Sequence, residues 1–305
     1  MKRILDCCAS DFRTLDRDSL KQAILAAEGR TLVAETIVTA PPLYPDVTNG
    51  EIVKAFGADL LLLNMLDVFA PAVSGLDPAG VVRDGRGVTG LIPVLKHLTG
   101  LPVGVNLEPV AAQSDALEQL EAIAEGRTAT PRALAQAKAL GCDFVCLTGN
   151  PKTGVTNAQI EHAIGDARTH FGGLVIAGKM HSSGTRDGAP GDAAVRFAQA
   201  GADVVLLPAP GTVPGVREGD LARTVQRVKQ EGALVLAAIG TSQEGADEAT
   251  VREIGLSAKR AGADMLHIGD CGFTGIAVPE NIMALSIAIR GRRHTYIRMA
   301  RSAVR

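Results

Sequence analysis

The sequence predicts a (β/α)8 TIM barrel preceded by an extra N-terminal helix. Three observations predict it. A phrase recurs four times, as Gly57-Ala-Asp-LLLLN, Gly141-Cys-Asp-FVCLTGN, Gly201-Ala-Asp-VVLLPAPG and Gly262-Ala-Asp-MLHIGD, each after an alanine-rich helical segment and before a short apolar run. Strands of a second kind, TLVAETIV, PVGVNLE, GLVIAGKMH and LVLAAIGT, alternate with these copies. The composition is 46% apolar but only 3% aromatic, with 34 Gly, which suits parallel strands buried on both faces and joined through glycine-marked turns.

Taken in order, a helix near 16–27 precedes the first strand and is placed to plug the bottom of the barrel. Strands follow at about 31–38, 59–66, 102–108, 144–150, 173–181, 204–210, 234–241 and 265–270. Helices fit between them near 49–56, 88–98, 129–140, 156–170, 190–201, 218–231 and 247–261, and a last one spans about 278–290. The four repeat aspartates, Asp59, Asp143, Asp203 and Asp264, are 84, 60 and 61 residues apart, so each repeat holds two βα units, a quarter barrel. Eight right-handed parallel units close most economically as one barrel, and residues 1–305 form a single domain. A doubly wound open sheet is the competing architecture. Residues 1–30 are an N-terminal extension, and 291–305 form a basic tail. The stretch 290–305 carries six arginines and no acid, and reads as a solvated helix packing on a neighbouring subunit of a homo-oligomer.

Composition excludes several function classes. The 31 basic and 33 acidic residues leave a net charge of −2, no footprint for nucleic acid, and the scarcity of aromatics disfavours a base-stacking surface. The longest apolar runs are strand-sized, so no membrane partner is expected, and the polar N-terminus lacks a signal-peptide core. Cys7, Cys8, Cys142, Cys146 and Cys271 have no paired zinc spacing and read as reduced thiols of a cytoplasmic protein.

Active sites of this fold are built at the C-terminal strand ends. Those ends carry Glu35 and Thr39, Asn64 and Asp67, Asn106 and Glu108, Thr148 and Asn150, Lys179 and His181, and His267 with Asp270. Any one of them reads most simply as part of a satisfied polar layer. Polar pairs at one level of five strands need a further reason, because ionisable groups inside aliphatic strands are costly unless paired. Lys179 is expected at the mouth beside His181 and opposite Glu108, as a Schiff-base amine or an anion clamp. Glu108 and His181 take acid–base roles, His267 is a second proton shuttle, and Asn64, Asn106, Thr148 and Asn150 are substrate-binding residues. Glu35, Glu108 and Asp270 could hold Mg²⁺ or another divalent cation.

The turns after strands seven and eight, Gly240-Thr-Ser-Gln-Glu-Gly245 and Gly269-Asp-Cys-Gly272-Phe-Thr-Gly275, occupy the position where many such barrels bind phosphate. Gly240, Thr241, Gly269 and Gly272 are the phosphate candidates. Two loops, Gly149-Asn-Pro-Lys152-Thr-Gly154 and His181-Ser-Ser-Gly184-Thr-Arg186-Asp-Gly188, are candidate lids, as is 74–88 with Arg83 and Arg86. Asp16-Arg17-Asp18 is not a haloacid-dehalogenase D-x-D motif, since no apolar strand precedes it.

The segments LDCCASDFR, AETIVTAPPLYPDVTN, LLLLNMLDV, PVGVNLEP and GDCGFTGIAVPENIMALSIAIRGRRHTY resemble, over nearly the whole chain, an uncharacterised bacterial TIM-barrel family often labelled haloacid-dehalogenase-like hydrolase. PVGVN and the GAD phrases are distantly similar to the BtpA/SgcQ-like barrels. GKMHSSG is similar to the strand-five loop of phosphoenolpyruvate mutase and isocitrate lyase barrels, whose acidic metal-binding run is missing here. The first resemblance, through its association with sugar-uptake genes, implies a phosphorylated sugar or sugar-acid metabolite. The expected function is therefore a lyase of aldolase type, or an isomerase, acting on a small phosphorylated metabolite. The alternative is a non-catalytic sensor or assembly protein using the same barrel.

Overall fold

The computed structural model describes residues 2–76, 88–110, 116–188 and 190–305. Eight strands close into one parallel barrel in sequence order, each paired with its neighbours and the last with the first. They are β1 (Thr31–Ile37), β2 (Leu60–Asn64), β3 (Val103–Leu107), β4 (Phe144–Leu147), β5 (Leu174–Gly178), β6 (Val204–Pro208), β7 (Leu234–Ile239) and β8 (Met265–Ile268). Every expected strand is present, most ending earlier than expected because the polar residues at their C-terminal ends leave the ladder for the mouth.

The helices are α1 (Ala9–Phe12), α2 (Arg17–Leu25), α3 (Asn49–Ala55), α4 (Leu91–Thr99), α5 (Pro131–Ala139), α6 (Asn157–His170), α7 (Ala193–Gln199), α8 (Glu218–Gln230), α9 (Glu248–Arg260) and α10 (Pro279–Ala300). Side-chain caps begin several of them: Thr48, Thr130, Thr156 and Asp247 each accept a backbone N–H of the first turn. Asp16 does the same for α2, so Asp16-Arg17-Asp18 is a helix start. None of the helices among the described residues is long and apolar enough to cross a membrane.

Alternation along the strands sorts their side chains into two cores. Leu60 and Leu62, Phe144 and Cys146, Leu174 and Ile176, Val204 and Leu206, and Leu234 and Leu236 fill the barrel interior. Leu61 and Leu63, Val103 and Val105, Val145 and Leu147, and Val175 and Ala177 face the helices. Phe144 is the one aromatic in the interior, and Gly104 on the adjacent strand makes room for it: a Cβ there would come within 2.3 Å of the ring. The plug expected at the bottom is present. Leu20, Ala23, Ile24 and Ala27, with Ile4, Leu5 and Phe12 from the preceding segment, close the interior core from below.

The repeat phrase has a definite mechanical role. Its four glycines adopt positive φ, between 88° and 106°, which ends each helix and turns the chain into the next strand. Each aspartate then clamps the neighbouring strand's start. Its carboxylate accepts a backbone N–H there, Leu32 for Asp59, Val103 for Asp143, Val175 for Asp203 and Val235 for Asp264, at 2.8–3.0 Å. Its own N–H returns to the carbonyl of the same residue.

Each clamp is also charge-paired: Asp143 to Lys96, Asp203 to Arg17, Asp264 to Lys229, and Asp59 to both Arg290 and Arg298. Three of the six arginines of the basic tail turn inward, while Arg292, Arg293 and Arg305 stay exposed. Gly291 breaks α10 with non-helical dihedrals, and the segment beyond it folds back under the same barrel. Arg290 and Arg298 are buried on Asp59, and Arg301 donates to the carbonyls of Leu5 and Cys7. These arginines are spent within the chain.

Asp59→Ala leaves two buried guanidinium groups uncompensated and is expected to cost about 3–5 kcal/mol in urea unfolding. Asp264→Ala, whose lysine partner faces solvent, is expected to cost less. Equal losses at both sites would show that backbone clamping alone sets the cost.

Candidate active site

The inward register that fills the barrel with Leu60, Leu62, Phe144, Cys146 and Leu236 continues upward into polar residues. It places Glu35, Asn64, Asn106, Thr148 and Gly240 in one layer, with His267 at its base. Glu35, Asn64, Asn106, Thr148, Asn150, His181, Gly240, Thr241, Gly269 and Asp270 all line one cavity of about 290 Å³ at the C-terminal strand ends. Those ten predicted residues are brought together.

A hydrogen-bond ladder crosses the layer. Asn64 donates to Asn150 at 2.8 Å and to Asp270 at 2.9 Å, while Asn106 and Asn150 donate to the Asn64 carbonyl oxygen at 3.1 and 3.0 Å. The Asn150 backbone N–H and side-chain amide both donate to Glu108. Glu108 also forms an ion pair with Arg127 at 2.6 Å and does not line the cavity. Both of its oxygens are engaged, so it orients Asn150. Asp67, at the end of β2, caps a turn through Phe69.

Glu35 and His267 form the most buried contact of the site. Glu35 Oε2 lies 2.9 Å from His267 Nε2, and the two residues are 3% and 0% exposed. Burial, with the charges of Asp270, Glu244 and Glu108 nearby, pushes the Glu35 carboxyl well above the usual range. Burial pushes the His267 imidazole down to about 4. Its Nδ1 has no partner. A bare lone pair is the cheaper form to leave there, so the ring's proton sits on Nε2 and is donated to Glu35. Glu35 lines the cavity, so the oxygen not held by His267 is the one offered to a ligand. Asn106 Oδ1 and Thr148 Oγ1 are also buried without partners in this layer.

Lys179 is not where it was expected. It shares the outward register of Val175 and Ala177, and its ammonium is buried against Asp187 at 2.6 Å and Thr185 at 2.9 Å. Asp187 in turn accepts the N–H of Asn157 at the start of α6. Burial holds the Lys179 pKa below its ordinary value, against the opposing pull of Asp187. Lys179 does not line the cavity, whereas Met180 and His181 do. His181 Nδ1 accepts the Ser183 N–H at 2.9 Å, and burial followed by the nearby Lys179 charge pushes the imidazole down to about 4.

The turns after β7 and β8 also differ in detail. The Gly269 N–H is spent on the Ile239 carbonyl, and the Cys271 N–H on the Glu244 carboxylate at 3.1 Å. Gly272 lies outside the cavity wall; a Cβ there would collide with the backbone of Glu244, Ala277 and Val278, so it serves close packing. The Thr241 hydroxyl lies within hydrogen-bond reach of the Gly240 and Thr212 carbonyls and has one proton to give to either. Residues 116–121 lie over the two glycine-rich loops, with the Leu117 N–H on Gly184 and the Glu121 N–H on Lys152, and they bring Glu118 into the cavity wall. Arg186 is exposed outside that wall, and Arg83 and Arg86 lie outside the described residues.

Sequence reasoning missed Glu244, Arg127, Asp187 and the cover formed by 116–121. Glu244 was the findable one: an acid inside a glycine-bounded turn directly after a barrel strand, and it proves 98% buried, being 2% exposed. Burial raises its carboxyl above the ordinary value, and burial with Asp270 pushes the Cys271 thiol up to about 12.

Among solved structures the chain is similar to the Schiff-base-forming fructose-1,6-bisphosphate aldolase, with a TM-score of 0.53 at 14% identity over 87% of this chain and 96% of that one. It is also similar to an archaeal fructose-1,6-bisphosphate aldolase whose catalytic lysine is covalently bound to the carbinolamine intermediate, with a TM-score of 0.52 at 15% identity over 88% and 97%. The carboxyl transferase domain of Rhizobium etli pyruvate carboxylase aligns with a TM-score of 0.50 at 13% identity, over 95% of this chain and 51% of that one. At these identities the likeness is one of fold. No curated protein matches the sequence. The expected kinship to an uncharacterised barrel family holds in that coarser form. Residues 5–305 match a domain of unknown function, and the chain belongs to that family, DUF7916.

Proposed function

We propose that this protein is a lyase of aldolase type, or an isomerase, that moves a proton on a small hydroxylated metabolite, a sugar phosphate or a keto-acid. The observation that carries this reading is the buried Glu35–His267 contact at a cavity that Asn106 and Thr148 also line, each with a buried side-chain oxygen that has no partner. The aldolases among proteins of similar fold support the reaction class. Glu35 is the proton acceptor: it takes a hydroxyl or carbon-bound proton on its cavity-side oxygen and returns it to the product carbon. His267 keeps the other oxygen oriented through its Nε2–H. Asn106 and Thr148 hold the substrate hydroxyls. A phosphate would lie against the small-residue wall of Gly240, Thr241 and Gly269. Lys179, ion-paired with Asp187 outside the cavity wall, positions the loop that carries His181.

Glu35→Gln is expected to lower kcat by about 10²–10⁴-fold on a panel of sugar phosphates and keto-acids, with substrate binding by calorimetry retained. In the parent protein the acid limb of the kcat profile should lie above the ordinary carboxylate pKa, because Glu35 must be ionised to accept the proton and its pKa is raised. Ligand binding without turnover across the panel would favour the sensor reading. Borohydride reduction with a bound keto-acid should leave Lys179 unlabelled; a trapped adduct there would replace Glu35 by Lys179 as the reacting group.

His267 makes a separate prediction about stability. Its folded pKa of about 4 lies below the ordinary 6.5, so folding favours the neutral ring. That contribution is complete above pH 6.5 and is lost as pH falls towards 4. As pH falls through this window the parent should lose more stability in urea than His267→Asn, which keeps an N–H for Glu35, because the raised Glu35 and Glu244 carboxyls, common to both proteins, act in the opposite direction. An unchanged slope would place the titration elsewhere.

A further inference from the structure

We infer that Glu244, Asp270 and Cys271 form a binding site for one divalent transition-metal ion of borderline character, such as zinc or cobalt(II), beside the acid–base pair. The inference deepens the proposed function and rests on that cavity being the active site. One ligand atom from each residue, two carboxylate oxygens and a thiol sulfur, lies within 4.8 Å of the others. A tetrahedral ion bonded at about 2.0–2.3 Å to each holds its ligand atoms about 3.3–3.8 Å apart, so a pair at the 4.8 Å limit closes by about 1 Å or more when the ion binds.

The independent observation is Glu244 Oε2. It is a buried carboxylate oxygen with no hydrogen-bond partner, on a residue that lines the cavity. Such an oxygen is expensive to leave unmatched, and a cation is what matches it.

The set is also held in place before any ion arrives. Glu244 Oε1 is fixed by the Cys271 N–H at 3.1 Å, and Asp270 Oδ2 by Asn64 at 2.9 Å. Glu244 is thus anchored through one oxygen with the other unmatched, and Asp270 is anchored through Oδ2 while its Oδ1 accepts only from the Cys271 thiol, the kind of support that outer partners give to metal ligands. Cys271 Sγ donates its proton to Asp270 Oδ1 at 3.2 Å, so the place between those two donors is one that a metal can take over from a proton. The sulfur ligand separates this set from a magnesium site, which would be all oxygen.

Charge gives the site a purpose. The cavity wall carries Glu35, Glu118, Glu244 and Asp270 and, among the described residues, neither lysine nor arginine. An anionic substrate needs a positive charge there, and three protein ligands leave coordination positions open for its oxygens.

The test is a titration of the chelator-treated full chain with Co²⁺ under reducing conditions, followed by absorption spectroscopy and calorimetry. One ion per chain should bind, with a sulfur-to-cobalt charge-transfer band that Zn²⁺ abolishes by competition. Cys271→Ser should remove the band while leaving weaker binding, and Glu244→Gln and Asp270→Asn should each weaken affinity by about tenfold or more. No binding, or binding without the band, overturns the site. A band equally strong in Glu244→Gln and Asp270→Asn overturns it as well, as capture by a lone exposed thiol. These readouts do not use turnover, so the site can fail while Glu35 stands, or hold while Glu35→Gln shows the acid–base reading to be wrong.

Discussion

Four aspartates at the bottom of the barrel hold the architecture on which the site depends. Each sits one residue before or at the start of an even-numbered strand, and it accepts a backbone N–H from the odd-numbered strand beside it. These parallel strands are aliphatic on both faces, so a one-residue slip would exchange one apolar set for another and the inside–outside contrast alone marks register less sharply than in a one-sided sheet. The carboxylate adds a bond at one end that a slipped register would lose. With register set below, the inward positions above are determined residue by residue, and the polar layer appears at one height on β1, β2, β3, β4 and β8.

The cost of that device is buried charge, and the chain meets it differently in each quarter. Lys96 and Lys229 reach in from neighbouring helices with their ends near water, whereas Arg290 and Arg298 are taken wholly inside to Asp59. The Asp59 quarter adjoins the barrel's closure between β1 and β8, where no covalent continuity holds the seam. Burying both arginines there ties the last helix, the N-terminal plug and the β1–β2 pair into one unit. Arg290, Arg298 and Arg301 thereby act as a structural strut, while Arg292, Arg293 and Arg305 remain at the surface.

At the other end, the arrangement concentrates acidity. Glu35, Glu244 and Asp270 line one cavity, and their mutual repulsion adds to desolvation in raising Glu35 and Glu244. Carboxylates in such surroundings either keep a proton or hold a cation, and the site offers reasons for both. Glu35 has His267 to share a proton with, while Glu244 has an oxygen facing no donor at all. The same field explains why the Cys271 thiol is held protonated and why an amide-rich ladder, neutral throughout, separates the acids from Glu108 and Arg127.

The linear sequence by itself determined the barrel, its eight strands, its plug and the set of strand-end residues that share the cavity. These follow from local physics: the repeat spacing, the positive-φ glycines, and a two-residue alternation that runs unbroken from the aliphatic interior to Asn64, Asn106 and Thr148. Only the tertiary structure decided which of those residues are free to act. Lys179 and His181 share a strand parity, yet the chain leaves the ladder after Gly178, so one is sealed against Asp187 while the other turns into the mouth. Glu108 looked like a base until Arg127, 19 residues on, took its oxygen. Glu244 and Cys271 meet although they are 27 positions apart in the chain. Partnering of charged groups is a property of contacts between distant segments, and no local pattern encodes which partner arrives first.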